Sequence, residues 1–137
     1  MTYGCRAQGV DRHVNAAYLS GDARVLEALA VADRVWMSTV VLGELYTGFK
    51  GGARTVENSS QLRTFLAKPT VRPLDVNQET AEIFGEVKFR LKQAGTPIPI
   101  NDVWIGAHAL ETGSVLIGYD KHFSRIAGLR YWLHLQS

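Results

Sequence analysis

Asp11, Glu44, Asp102 and Asp120 are the residues of this chain whose type and placement could do chemistry. Each falls near an expected passage between strand and helix. Carboxylates gathered in one cleft repel one another unless a cation holds them. Their convergence would therefore imply a hard divalent ion, Mg²⁺ or Mn²⁺, which takes oxygen ligands and keeps several waters. Such an ion makes water a better nucleophile and offsets charge on a phosphodiester oxygen. Other chemistries find less support. Gly51-Gly52 precedes no Lys-Ser or Lys-Thr, so no phosphate-cradling glycine loop is present. His13, His108, His122 and His134 show no zinc-ligand spacing with the lone Cys5, and no Ser or Cys nucleophile motif competes.

The elements that must position these acids alternate along the chain. An apolar stretch ending at Val10 reads as a weak first strand, and Asn15 to Ala32 as helical with a break near Ser20-Gly21-Asp22. Arg34 to Ser38 is a short strand that runs into a helix over Thr39 to Phe49, with Thr39 able to cap it. Glu57 to Ala67 forms a further helix, stopped before Pro69. A strand over Val71 to Val76 leads to Asn77, which can cap a strong helix over Glu79 to Ala94. Beyond the Gly95-Thr-Pro-Ile-Pro99 loop come a helix over Asp102 to Glu111, a stop at Gly113, a strand over Val115 to Tyr119 and a last strand over Leu129 to Leu135.

Strands separated by helices predict one α/β domain over residues 1–137: a three-layer α/β/α arrangement around a central, mainly parallel sheet with right-handed crossovers. In such sheets ligands bind outside the carboxyl edge. Asp120 ends a strand and so belongs on that edge. Asp102 opens a helix that descends toward the next strand, so it starts on the same edge. A helix of ~10 residues descends ~15 Å, and a strand of ~5–6 residues climbs back ~17–20 Å. Glu44 lies in the second helical turn after Ser38, roughly 8 Å below the edge. Asp11 precedes the first expected helix, so all four acids map to one rim.

Composition narrows the class. The 137 residues are 46% hydrophobic and 20% charged, which suits a globular domain with a real core and indicates neither disorder nor a fibrous repeat. The apolar runs are too short to cross a bilayer, and no basic stretch followed by an apolar run suggests a secretory leader. One cysteine excludes an internal disulfide and fits a reducing cytoplasm. A net charge of +2 leaves no broad nucleic-acid footprint, although Lys88, Arg90, Lys92, Lys121, His122 and Arg125 could guide a phosphate backbone locally.

Three stretches carry a resemblance: Ser38-Thr-Val-Val-Leu-Gly-Glu44-Leu-Tyr-Thr-Gly48, Gly95-Thr-Pro-Ile-Pro-Ile-Asn-Asp102-Val-Trp-Ile-Gly-Ala-His108, and Val115-Leu-Ile-Gly-Tyr-Asp120-Lys-His-Phe123. With these the chain resembles the PIN-domain ribonucleases of the VapC toxin type from Asp11 onward. The resemblance implies a compact PIN-like fold whose acidic cleft binds Mg²⁺ or Mn²⁺ and hydrolyses RNA. By motif, Glu44, Asp102 and Asp120 match acidic site positions, and Asp11 matches the acid that ends the family's first strand. It further implies a homodimer and a small cognate antitoxin laid over the cleft. Arg12 and His13 stand where the family has small polar residues, and Gly118 replaces a frequent hydroxyl residue.

Each acid also has a plainer reading. Asp102 suits a helix start on dipole grounds, Asp120 a strand-end turn, Asp11 a loop, and Glu44 the outer face of an amphipathic helix. His108 reads as a core histidine or as one that supports a site ligand from behind, and Trp36, Phe84 and Trp104 read as core. The Arg12 departure motivates an alternative, a catalytically impaired PIN-like binding module in which Arg12 replaces the metal's charge. A phosphoacceptor receiver domain is a third reading, but Asp11 has no acidic neighbour and Asp75 no clear Thr and Lys switch pattern.

Overall fold

Strand β2 (Arg34–Ser38) passes into helix α1 (Thr39–Lys50) without a loop. Ser38, not Thr39, is the cap: its Oγ accepts the Val40 N–H at 3.1 Å. Ser38 is fully buried, and the capping bond gives its hydroxyl the partner that burial demands. Four further strands and three further helices are described in the computed structural model, which covers residues 13–16, 29–118 and 120–133. They are β1 (His13–Ala16), α2 (Thr55–Leu66), β3 (Val71–Leu74), α3 (Gln78–Gln93), α4 (Ile100–Thr112), β4 (Val115–Gly118) and β5 (Tyr131–Leu133). A 3₁₀ turn over Lys121–Arg125 follows Asp120 and was not expected from the sequence.

The sheet runs β3-β2-β1-β4-β5, and every neighbouring pair is parallel. Strands β1 to β3 extend it one way and β4 and β5 the other. The order therefore reverses between β1 and β4, where open α/β sheets bind ligands beyond the carboxyl edge. All four residues of β4 are buried, as a strand covered by helices on both faces requires. This is the three-layer α/β/α fold that the alternation predicts. Pro73, which cannot donate to a ladder, lies in β3 at the sheet's edge.

Asn15 and Ala16, expected to open a helix, belong to β1 and pair with both β2 and β4. Pairing on both sides satisfies the backbone of this short segment and outweighs its weak helical pattern. The expected strand ending at Val10, Asp11 and Cys5 lie outside the described residues, as do residues 17–28; residues 29–31 are helical. Elsewhere the elements match the expected ones to within a few residues. The last strand is described over Tyr131–Leu133, and the rest of its expected carboxyl end, His134 and Leu135, lies outside the described residues.

The core joins β2, β4, α1 and α4 through Val35, Met37, Val41, Val103, Ile105, Leu116 and Ile117, none more than 2% exposed. Polar contacts then fix α4 against the start of α3. Asn77 and Thr80 form a reciprocal capping box, and the Thr80 hydroxyl donates to Glu111 of α4 at 2.5 Å. His108, fully buried, donates from Nε2 to the Asp75 carbonyl at 3.1 Å, so it is a core histidine as its apolar neighbours suggested. Phe84 stacks on Trp104 with ring centroids 3.7 Å apart. Thr80→Val keeps the shape but breaks the capping box and strands a Glu111 oxygen. It is expected to destabilise the domain by about 1–3 kcal/mol in denaturant titrations. Among the described residues, no helix is long and apolar enough to cross a membrane.

Candidate metal centre

Helix α4 starts at Ile100, two residues before the expected start, with Pro99 as its N-cap. Asp102 therefore sits inside the first turn, where the helix dipole favours a negative charge. Asp120 follows β4 and caps the 3₁₀ turn, its Oδ1 accepting the His122 N–H at 3.0 Å. The Tyr131 hydroxyl donates to the Asp120 carbonyl at 2.6 Å and ties this turn to β5. Two acids separated by a whole helix and strand thus meet at the carboxyl edge.

Between them stands His122. Its Nδ1 is 3.1 Å from Asp102 Oδ2 and 2.8 Å from Asp120 Oδ1. Ligand atoms of Asp102, Asp120 and His122 all lie within 4.8 Å of one another. The sequence places His122 among surface cations that could guide a phosphate backbone; its ring instead faces the carboxylates. No spacing rule separates these alternatives, because the turn that swings the ring inward is set by its buried neighbours. Phe123 and Ile126 are 3% and 4% exposed and anchor the turn. Gly106 of α4 makes room for this: a Cβ there would come within 2.5 Å of Ile126 Cδ1.

Glu44 is on the exposed face of α1, as the plainer reading had it, yet it points toward the rim. Its Oε2 accepts from Asn101 Nδ2 at 3.2 Å, beside Asp102. Glu44 thus borders the cluster without joining the group of close ligand atoms among the described residues. Asp11 and Arg12 lie outside the described residues.

The electrostatics suit a cation. Burial pushes the Asp102 carboxyl above its ordinary range, and the charges of Asp120 and Glu44 push it the same way. The hydrogen bond to His122 pulls in the opposite direction without reversing the shift. Burial, with Asp120 and Asp102, also raises the Tyr131 hydroxyl, which stays a neutral donor. A divalent ion would relieve the stored repulsion, and this donor set of carboxylate oxygens with one imidazole nitrogen can hold one.

The PIN-domain family model matches residues 10–129. This chain belongs to the PIN-domain family. Ribonuclease VapC5 of Mycobacterium tuberculosis is 31% identical to it over 89% of this chain and 90% of that protein. Ribonuclease VapC2 of Rickettsia felis is 29% identical over 88% and 85%. Among solved structures, VapBC2 of Rickettsia felis bound to a DNA fragment from its promoter superposes with a TM-score of 0.73, at 25% identity, over 88% of this PIN domain and 96% of that chain. DNA-bound VapBC of Salmonella typhimurium shares the fold, with a TM-score of 0.77 at 21% identity over 90% and 98%. The fold and family that the three sequence stretches implied are those found.

Proposed function

We propose that this PIN domain is a divalent-metal-dependent endoribonuclease, the toxin of a toxin–antitoxin pair acting in the cytoplasm. The observation that carries the reading is the convergence of Asp102 and Asp120 beside the point where the strand order reverses, with Glu44 on the same rim. Relatives named ribonucleases that match nearly the whole chain support it, and they disfavour the impaired binding module. Solved VapBC complexes support a small antitoxin as partner. The homodimer implied by the family resemblance belongs to the same proposal.

Asp11, Glu44, Asp102 and Asp120 are the proposed metal-holding acids, with Mg²⁺ or Mn²⁺ as the ion. When bound, the ion would activate water and offset charge on the phosphodiester. The chain's own residues set the stage. Asp102 is held by the first turn of a buried helix, so its carboxylate keeps a defined place without a loop's freedom. Tyr131 and the His122 backbone fix the turn that presents Asp120. Glu44, steadied by Asn101, adds negative charge at the cleft's mouth. Lys121 is exposed next to Asp120 and is placed to meet an incoming phosphate.

The test is cleavage of a mixed cellular RNA by the purified protein, free of antitoxin. Cleavage should require Mg²⁺ or Mn²⁺, stop on chelation and return when the ion is restored. Cleavage that persists in excess chelator would overturn the metal-dependent reading, and none with either ion would overturn the ribonuclease.

A further inference from the structure

The centre has one member that its acids do not account for. His122 Nδ1 lies against both Asp102 and Asp120, and its backbone N–H is bound to the Asp120 side chain. The neighbouring Phe123 and Ile126 are buried, and Ile126 packs over Gly106, on the same helix as Asp102. The turn that carries the ring is therefore anchored in the core, and the ring meets the acids from it. A mobile surface histidine would have no such anchor.

The spacing fits a shared ion. Adjacent ligand atoms on an octahedral ion with bonds of about 2.1 Å lie ~3 Å apart. His122 Nδ1 stands 2.8 Å and 3.1 Å from the two carboxylate oxygens. The same distances also describe plain hydrogen bonds, so the decision rests on what the ring does when an ion enters. The ring stands on a turn anchored by buried Phe123 and Ile126, so an ion seated between the two carboxylates would lie within its reach.

Resting on the metal-site reading above, we infer that His122 is a nitrogen ligand of the same ion held by Asp102 and Asp120, and that it biases the site toward Mn²⁺ over Mg²⁺. The chemistry follows from ligand preference. Mg²⁺ favours oxygen donors, whereas imidazole binds manganese, iron, cobalt and zinc in rising preference over it. Replacing one oxygen donor by imidazole therefore weakens the hold on Mg²⁺ relative to a transition ion.

Mn²⁺ titration followed by electron paramagnetic resonance tests this on the parent protein and on His122→Asn, with Mg²⁺ affinity read by competition. The parent should show a ¹⁴N coupling of a directly bound imidazole, and His122→Asn should lose it. Mn²⁺ binding should weaken about 10- to 100-fold, while Mg²⁺ binding changes by less than about threefold. A melting curve matching the parent's shows that the variant is folded; if it is not, the ¹⁴N signal of the parent alone decides. Bound Mn²⁺ without nitrogen coupling in the parent overturns the role of His122 and leaves the carboxylate site standing. No binding of either ion at millimolar concentration overturns both. Equal loss of the two ions in the variant overturns the selectivity.

Discussion

Asp102→Asn should remove metal-dependent RNA cleavage, lowering kcat by about 10²–10³-fold, the scale seen when one preorganised electrostatic group is lost. The same change should raise the stability of the metal-free protein. Asp102 is 15% exposed, and burial is the main cause of its raised pKa. A carboxyl whose folded pKa exceeds its unfolded value folds best when protonated. Its contribution is fully present below the unfolded pKa and is lost as pH rises through the folded one. Above the folded pKa the parent therefore carries the penalty of a half-buried charge facing Asp120 and Glu44, and the amide does not. The variant keeps an oxygen for the His122 hydrogen bond and should be more stable by about 0.5–2 kcal/mol. Thermal melting without metal from pH 7 down to the carboxylate range checks the sign. The gain should shrink on acidification, as the parent's Asp102 takes up its proton. A variant that melts lower than the parent at pH 7 would show that the His122 pairing outweighs burial.

Leu116→Ala should be the most damaging change to the fold. Leu116 is fully buried in β4, pairing with β1 on one side and β5 on the other. Truncation removes the transfer energy of the lost atoms and leaves a cavity between packed layers, at about 2–5 kcal/mol. Against a total of about 5–15 kcal/mol, this is a large share. Urea unfolding should show a lower midpoint with an unchanged slope. Val56→Ala, at a residue 80% exposed, is the control and should move stability by less than about 0.5 kcal/mol. Equal effects of the two would mean that β4 is not the centre of the core.

Local signals were strongest where they acted over one turn. Asn77 capped its helix as its type and position suggested, and Gly113, with φ of 64°, ended α4 where the apolar pattern stopped. The alternation of strand and helix was enough to bring Asp102, Asp120 and Glu44 to one rim, because period and chain direction alone determine on which edge a helix starts or a strand ends. The motif stretches named the family. The pattern failed at Asn15 and Ala16, where four residues are too few for periodicity to speak and pairing on both sides decides.

What the sequence by itself determined, then, is the parallel α/β class, the family, and the acids Glu44, Asp102 and Asp120 on a common edge. Only the tertiary structure decided how they differ. Glu44 borders the centre through Asn101, whereas Asp102 is half-buried and Asp120 caps a turn no pattern announced. The place of His122 was likewise a matter of packing. Its ring faces the acids from a turn whose Phe123 and Ile126 sink into the core, Ile126 against Gly106. Spacing along a chain fixes edges and faces, but the last few ångströms between side chains depend on which neighbours are buried around them.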